Sequence, residues 1–141
     1  MAHTWLDDEV ADFVVEYDAL KSGQLDPAVT KRVHLDMLGV VNSMRNKAAR
    51  GQLEVGADNT FPVRVMSSVY YVLEMRPKLA GGPRPPRLFR LYYAEPAEPE
   101  GALLPLVLST KPNGVDAHQE QNASIAEAKT RSRVWQFTKA S

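Results

Sequence analysis

Arg87-Leu88-Phe89-Arg90-Leu91-Tyr92-Tyr93-Ala94 is the stretch on which the fold turns. It contains neither glycine nor proline and is rich in aromatic and aliphatic residues, the composition of a strand with neighbours on both sides. Strand alternation puts Leu88, Arg90 and Tyr92 on one face and Phe89, Leu91 and Tyr93 on the other. The second set is expected to meet helices. The first set presents a guanidinium beside a phenol, groups suited to gripping a phosphate and stacking a base.

Two further runs flank this one. Val69 to Arg76 and Leu103 to Thr110 carry the same β-branched and aromatic bias, so three strands are expected between Val63 and Thr110. In the first run Tyr70, Val72, Glu74 and Arg76 share a face. Two readings of that face stay open at this level. It is an RNA platform, or Arg90 sits opposite Glu74 and the two form an ordinary cross-strand ion pair. Strand tyrosines are mostly packing residues, which assigns Tyr93 to the core.

The connections are broken by proline and glycine. Pro77 to Pro86 holds Gly81-Gly82 and four prolines and is expected to be a long loop, and Glu95 to Gly101 a solvated turn. Pro105 inside the third run requires an edge, a bulge or a position outside the ladder, because proline has no N–H to donate.

Helical spacing appears on either side of the strands. Asp8 to Leu20 places Val10, Phe13, Val14 and Tyr17 at three- and four-residue steps, with acids at the start and Gly23 as a stop. Asp26 and Pro27 read as cap and first helical residue of a second helix, in which Val29, Val33, Met37, Val40, Val41 and Met44 follow and Gly51 marks the end. A polar loop from Pro112 to Gln121 precedes a closing helix, Asn122 to Phe137, with Glu127 and Arg131 at i,i+4. The expectation is a single α+β domain over residues 1–141. In it an N-terminal antiparallel helix hairpin packs on a three- to four-stranded, mainly antiparallel sheet, followed by a C-terminal helix.

Composition narrows the chemistry. The 141 residues include no cysteine, which excludes disulfides, thiolate catalysis and cysteine zinc sites. Acids at Asp7, Asp8 and Glu9 stand where an export signal needs a basic start, and no apolar run is long enough for a membrane span, so a cytoplasmic protein is expected. The zero net charge hides an asymmetry: residues 1–63 hold 6 Lys/Arg against 10 Asp/Glu, and residues 64–141 hold 11 against 7. A basic half suits phosphates.

Among single residues, Lys111 follows the third strand and precedes the turn signal Pro112-Asn113-Gly114, which places an ammonium at the end of the sheet. Strand-end lysines are also commonly just solvated. Lys129, Arg131 and Arg133 fall late in the last helix, where positive charge complements the helix dipole. His3, His34 and His118 lack metal-ligand spacing, so no metal and no cofactor is expected. His34 lies within the second helix beside core positions, which suits a surface or boundary role rather than catalysis, and His118, in a polar loop, is the acid-base candidate of the three. No phosphate loop, nucleophile elbow or zinc-protease motif occurs.

The order of motifs resembles the RelE/HigB-like toxins of the RelE/ParE superfamily over about half of the chain. It runs from a helix pair to Tyr71-Val72-Leu73-Glu74-Met75-Arg76, then Arg87-Leu88-Phe89-Arg90-Leu91-Tyr92-Tyr93, then Leu106 to Lys111, and last Ala128 with Arg131. The resemblance implies a RelE-like fold and a metal-independent mRNA endoribonuclease, ribosome-dependent, that inhibits translation as the toxin of a type II toxin-antitoxin system. Its implied partners are mRNA, the ribosome and a cognate antitoxin, such as a helix-turn-helix protein. By position it implies catalytic roles for Arg90, Lys111 and Arg131, and RNA binding by Arg76, Tyr92, Arg87, Lys129 and Arg133. Two alternatives accompany it: a non-catalytic binding module, and a ParE-like gyrase inhibitor.

Overall fold

In the computed structural model, which describes residues 2–56, 62–67, 72–79, 87–113 and 117–140, the chain begins with β1 (Thr4–Trp5), α1 (Ala11–Lys21) and α2 (Lys31–Ala49). It continues through β2 (Val55–Gly56), β3 (Val63–Ser67), β4 (Val72–Met75), β5 (Arg87–Ala94) and β6 (Ala102–Pro112) to α3 (Ala117–Ala140). The strands form one sheet in the order β1-β6-β5-β4-β3-β2. From β3 to β6 it is an antiparallel meander, and the two short outer strands are parallel to their neighbours, β1 to β6 and β2 to β3.

This corrects the expected fold. The chain is α+β, but among the described residues the sheet has six strands and is mixed, and a strand precedes the helices. In addition, α3 does not share a face with α2. The last point follows from parity. Phe89 meets His34 of α2 with ring centroids 5.5 Å apart, whereas Gln121 of α3 donates to Glu74, which pairs in register with Tyr92. Residues 89 and 92 point to opposite faces, so the sheet is covered on both sides. The face carrying Arg90 and Tyr92 lies under α3.

On the α2 side, Phe89, Leu91, Tyr93 and Met75 are buried together with Phe13, Leu20, Met37 and Val41. Each such side chain contributes roughly 1.5–3 kcal/mol relative to exposure. Tyr93 is a core residue, as expected, and its ring lies 5.2 Å from that of Trp5. Trp5 also donates its Nε1 proton to the Arg45 carbonyl at 2.9 Å and stacks under the Arg45 guanidinium at 4.8 Å, which ties β1 to α2.

Local chemistry sets the boundaries. The second helix starts later than expected, at Lys31: Thr30 is its cap, with Oγ1 accepting from the Val33 N–H at 3.2 Å. Asp26 is occupied elsewhere. One carboxylate oxygen accepts from the Ala28 N–H at 2.9 Å and the other from Thr110 at 2.7 Å and Arg87 at 2.6 Å. Its own N–H donates to Nε2 of the buried His34 at 3.1 Å, leaving that imidazole Nδ1 to donate to the Thr30 carbonyl. Between α1 and α2, Gly23 has φ +75°, and a Cβ there would lie 2.6 Å from Lys31 Cγ, so the turn needs glycine.

The meander extends the expected strands. β6 runs from Ala102 to Pro112, and Pro105 sits at a bulge: Tyr92 pairs with Val107 and Tyr93 with Pro105, leaving Leu106 as the extra residue. Of the expected run Val69 to Arg76, residues 69–71 lie outside the described residues, as do residues 80–86 of the expected loop Pro77 to Pro86 and residues 114–116 of the polar loop. That loop is shorter than expected, since α3 begins at Ala117. Among the described residues no helix is long and apolar enough to cross a membrane.

Candidate phosphate-binding site

Glu74 is the hub. It stands in β4 with no solvent exposure, opposite Tyr92 of β5 and Arg64 of β3 in the sheet register. The tyrosine hydroxyl donates to its Oε2 at 2.9 Å, and the Gln121 amide of α3 to the same oxygen at 3.0 Å. Three cations close around the carboxylate: Arg76 Nε 3.2 Å and Arg90 Nε 3.8 Å from Oε1, and Lys111 Nζ 3.8 Å from Oε2. Arg90 is only 5% and Lys111 8% exposed.

Alternation explains why they meet. Glu74 on β4, Arg90 and Tyr92 on β5, and Ser109 and Lys111 on β6 all point to the α3 side, and Arg76, just past the end of β4, turns its guanidinium to Glu74. Arg90 pairs in register with Ser109, not with Glu74, so the expected cross-strand partner is replaced by a diagonal neighbour. Ser109 in turn meets Ser124 of α3 at 2.9 Å, which seats the helix over the cluster.

Cations outnumber anions here. Oε1 of Glu74, Nε and Nη1 of Arg76 and Nε of Arg90 are buried without a hydrogen bond of proper geometry, although the ion pairs place opposite charges nearby. Arg90 does direct Nη1 to the Phe89 carbonyl at 2.7 Å. A buried donor left unsatisfied costs about 1–3 kcal/mol. Three charged donor groups thus share one carboxylate, and one of its oxygens, like N–H groups of both arginines, lacks a well-aligned hydrogen bond.

Burial and crowding shift the protonation equilibria. Burial holds Lys111 below the usual lysine range, and the positive charges of Arg90, Arg76 and Arg64 act with it against the pull of Glu74. Burial likewise lowers Arg90, with Glu74 opposing and Arg76 adding to the effect. Tyr92 is raised by burial and by the Glu74 charge, so it is a neutral donor. With its ring 1% exposed it has no free face for a base, which corrects the expected stacking role.

The chain matches no family model, no curated protein and no solved structure.

Of the expected site residues, Arg90, Lys111, Arg76 and Tyr92 come together at Glu74. The others do not join them. Arg131 reaches the other way, holding Glu16 of α1 in a bidentate pair at 2.8 and 2.9 Å and donating to the Leu106 carbonyl at 2.6 Å. Arg87 is divided between Asp26 and Glu120, at 2.6 Å from each. Lys129 and Arg133 lie farther along α3, with Arg133 exposed. His118 falls in the first turn of α3, and its side chain lies outside the described residues. Sequence reading missed Gln121 and Arg64. Alternation across β3 would have placed Arg64 on the Glu74 face once that strand was recognised, but nothing in the sequence marks Gln121.

Proposed function

We propose that the chain cleaves RNA at the Glu74 cluster, as a toxin-type, metal-independent endoribonuclease acting in the cytoplasm. One observation supports this most: Arg76, Arg90 and Lys111 converge on a single carboxylate, and buried N–H groups of both arginines lack a hydrogen-bond partner. A phosphodiester brings the missing acceptors, and its charge offsets the surplus cations.

In this reading the RNA 2′-hydroxyl attacks the adjacent phosphorus. The 2′-O–P bond forms and the P–O5′ bond breaks, giving a 2′,3′-cyclic phosphate and a 5′-hydroxyl end. Arg76 and Arg90 stabilise the charge that develops on the phosphoryl oxygens. Lys111, a stronger acid than an ordinary lysine because of its burial, gives a proton to the departing 5′-oxygen, and the 2′-hydroxyl proton passes to solvent. Glu74 keeps the three cations together in the absence of RNA. The partners in this reading are mRNA on the ribosome and an antitoxin that holds the protein inactive.

Expression in a bacterium should arrest growth and produce transcripts with new 5′-hydroxyl ends. Arg90→Ala and Lys111→Ala, checked for folding by circular dichroism, should abolish both effects. Normal growth with intact transcripts on wild-type expression would remove this reading. A second reading, a non-catalytic binding module, draws on the full enclosure of Glu74 and its hydrogen bonds from Tyr92 and Gln121, which make the cluster a polar core. It predicts a stable partner complex and no RNA cleavage with or without ribosomes.

A further inference from the structure

Glu74, Arg90 and Lys111 are buried, and the Arg76 side chain is only 11% exposed, so a strand of RNA cannot reach their N–H groups past what covers them. The cover is the beginning of α3. Gln121 donates to Glu74 at 3.0 Å and Ser124 meets Ser109 at 2.9 Å. Glu120, from the same turn, takes the Arg87 guanidinium at 2.6 Å. Three polar side chains of one short helical stretch therefore close the face on which the cations gather.

The two parts of α3 are held by different chemistry. From Ile125 onward the helix is anchored: Ile125, Ala128 and Trp135 pack into the core, and Arg131 grips Glu16 and the Leu106 carbonyl. Before Ile125 the burial is slight. Of Gln119 to Ser124 the buried side chain is an amide, Gln121, while Gln119, Glu120, Asn122 and Ala123 are exposed and Ser124 is half-buried. Hydrogen bonds of neutral polar groups exchange for bonds to water with little net change, whereas apolar burial has no such substitute. Asn122 and Ser124 also add little helix propensity. The first two turns are thus the part of the helix most easily lifted. Their one charged contact is the Glu120 carboxylate on Arg87, and Glu120 is 45% exposed, so an anion from solvent can compete for the guanidinium. Asp26, at 2.6 Å from Arg87 Nε, keeps that arginine in place when Glu120 leaves.

We propose that the first two turns of α3 are a lid over the Glu74 cluster, latched by Glu120 on Arg87 and opened by the phosphates of an incoming RNA strand. A phosphate takes the place of Glu120 on Arg87. Gln121 and Ser124 then leave Glu74 and Ser109, and the backbone enters among Arg76, Arg90 and Lys111 while the helix from Ile125 onward stays seated. In the absence of RNA the lid keeps the cations shut against Glu74. That the lid admits a substrate rests on the ribonuclease reading; that it opens to an anion does not.

The chain has no cysteine, so Ser109→Cys with Ser124→Cys introduces a single pair of thiols, at sites whose hydroxyls already touch, and a disulfide between them fastens the lid. Cleavage of a transcript should fall about tenfold or more on oxidation and return on reduction, and each single cysteine variant should ignore the oxidant. Glu120→Gln, which weakens the latch, should cut about threefold faster than wild type. Hydrogen exchange reads the opening without RNA. Amides of Gln121 to Ser124 should exchange about tenfold or more faster than those of Ala128 to Trp135. Inorganic phosphate should speed them further than sodium chloride at the same ionic strength, because the anion selects the open state, and the oxidised double variant should lose both effects. If the oxidised protein cuts as fast as the reduced, the lid is overturned and the ribonuclease reading stands. If neither form cuts, the ribonuclease reading falls, and acceleration of these amides by phosphate sustains the lid alone. Phosphate that slows them or leaves them unchanged overturns the lid in either case.

Discussion

Replacing Glu74 with glutamine changes neither the size nor the shape of the side chain, but it takes the only carboxylate away from Arg76, Arg90 and Lys111 among the described residues. With its carbonyl oxygen in the place of Oε2 the amide still accepts from Tyr92 and Gln121, but its NH₂ then faces Arg76 and Arg90. Three cations lose their counter-charge at a site with no solvent exposure. Breaking a buried ion pair by removing one partner costs about 3–5 kcal/mol. At roughly 2–4 °C per kcal/mol for a chain near this size, the melting temperature should fall by about 10 °C. Thermal unfolding followed by circular dichroism measures this, and added phosphate gives the second half of the test. An anion that binds only the folded state stabilises it by RT ln(1 + [L]/Kd), about 2.7 kcal/mol at a hundredfold excess over Kd. Phosphate should therefore recover much of the loss in Glu74→Gln and raise the wild-type melting temperature less, because Glu74 competes for the same donors. A loss under about 1 kcal/mol, at the level of an exposed pair, would refute the electrostatic reasoning. Failure of phosphate to rescue the variant would refute anion access to the cluster.

Other expectations follow from the ion pairs and the shifted groups. Arg131→Ala removes a mostly buried bidentate pair to Glu16 and a hydrogen bond to Leu106, so denaturant unfolding should show a loss of about 2–4 kcal/mol, while the rate of RNA cleavage by the folded fraction stays unchanged. Burial pushes Asp26 up, but hydrogen bonds from Thr110, Ala28 and Arg87 win and hold it below its ordinary value. Its contribution to stability is thus fully present above about pH 4 and is lost as pH falls through the lower folded value. Asp26→Asn should be less stable at neutral pH and show a flatter acid limb in pH-dependent unfolding. If Lys111 is the proton donor, cleavage should decline as pH rises through its lowered pKa, short of the ordinary lysine value near 10.4. In Lys111→Arg any residual rate should lack that limb, and a limb that persists would assign the proton to another group.

Much of the meander and both N-terminal helices could be read from local patterns, because the signals there are periodic and span a dozen residues. The alternation in Arg87 to Ala94 placed Phe89, Leu91 and Tyr93 against helices and brought Arg90 and Tyr92 to the face that gathers the cluster. What pattern could not supply was the cover on that face. α3 carries polar residues around most of its circumference, and its apolar stripe is thin, Ile125, Ala128 and Trp135, with Gln121 and Ser124 meeting the sheet through side-chain hydrogen bonds. The start of α2 was misplaced for a related reason: Asp26-Pro27 has the local form of a cap, but Asp26 is held by Arg87 and Thr110, which lie 61 and 84 residues away in sequence. Arg131 likewise suited the helix dipole and the family motif, while its actual partner, Glu16, comes from the other end of the chain. β1 and β2 escaped notice because two residues carry no period.

The position of β1 bears on how the chain assembles. β3 to β6 pair as sequence neighbours and can form with short loop closures, but Thr4 and Trp5 must find Ala102 and Leu103, about 100 residues later. That contact costs the most chain entropy and is secured by two residue pairs, so β1 should dock after the meander exists and detach before it melts. Trp5, whose ring rests on Tyr93, then serves as an intrinsic fluorophore for the last step of folding, and an extension fused ahead of Thr4 should slow that step without altering the rest of the sheet.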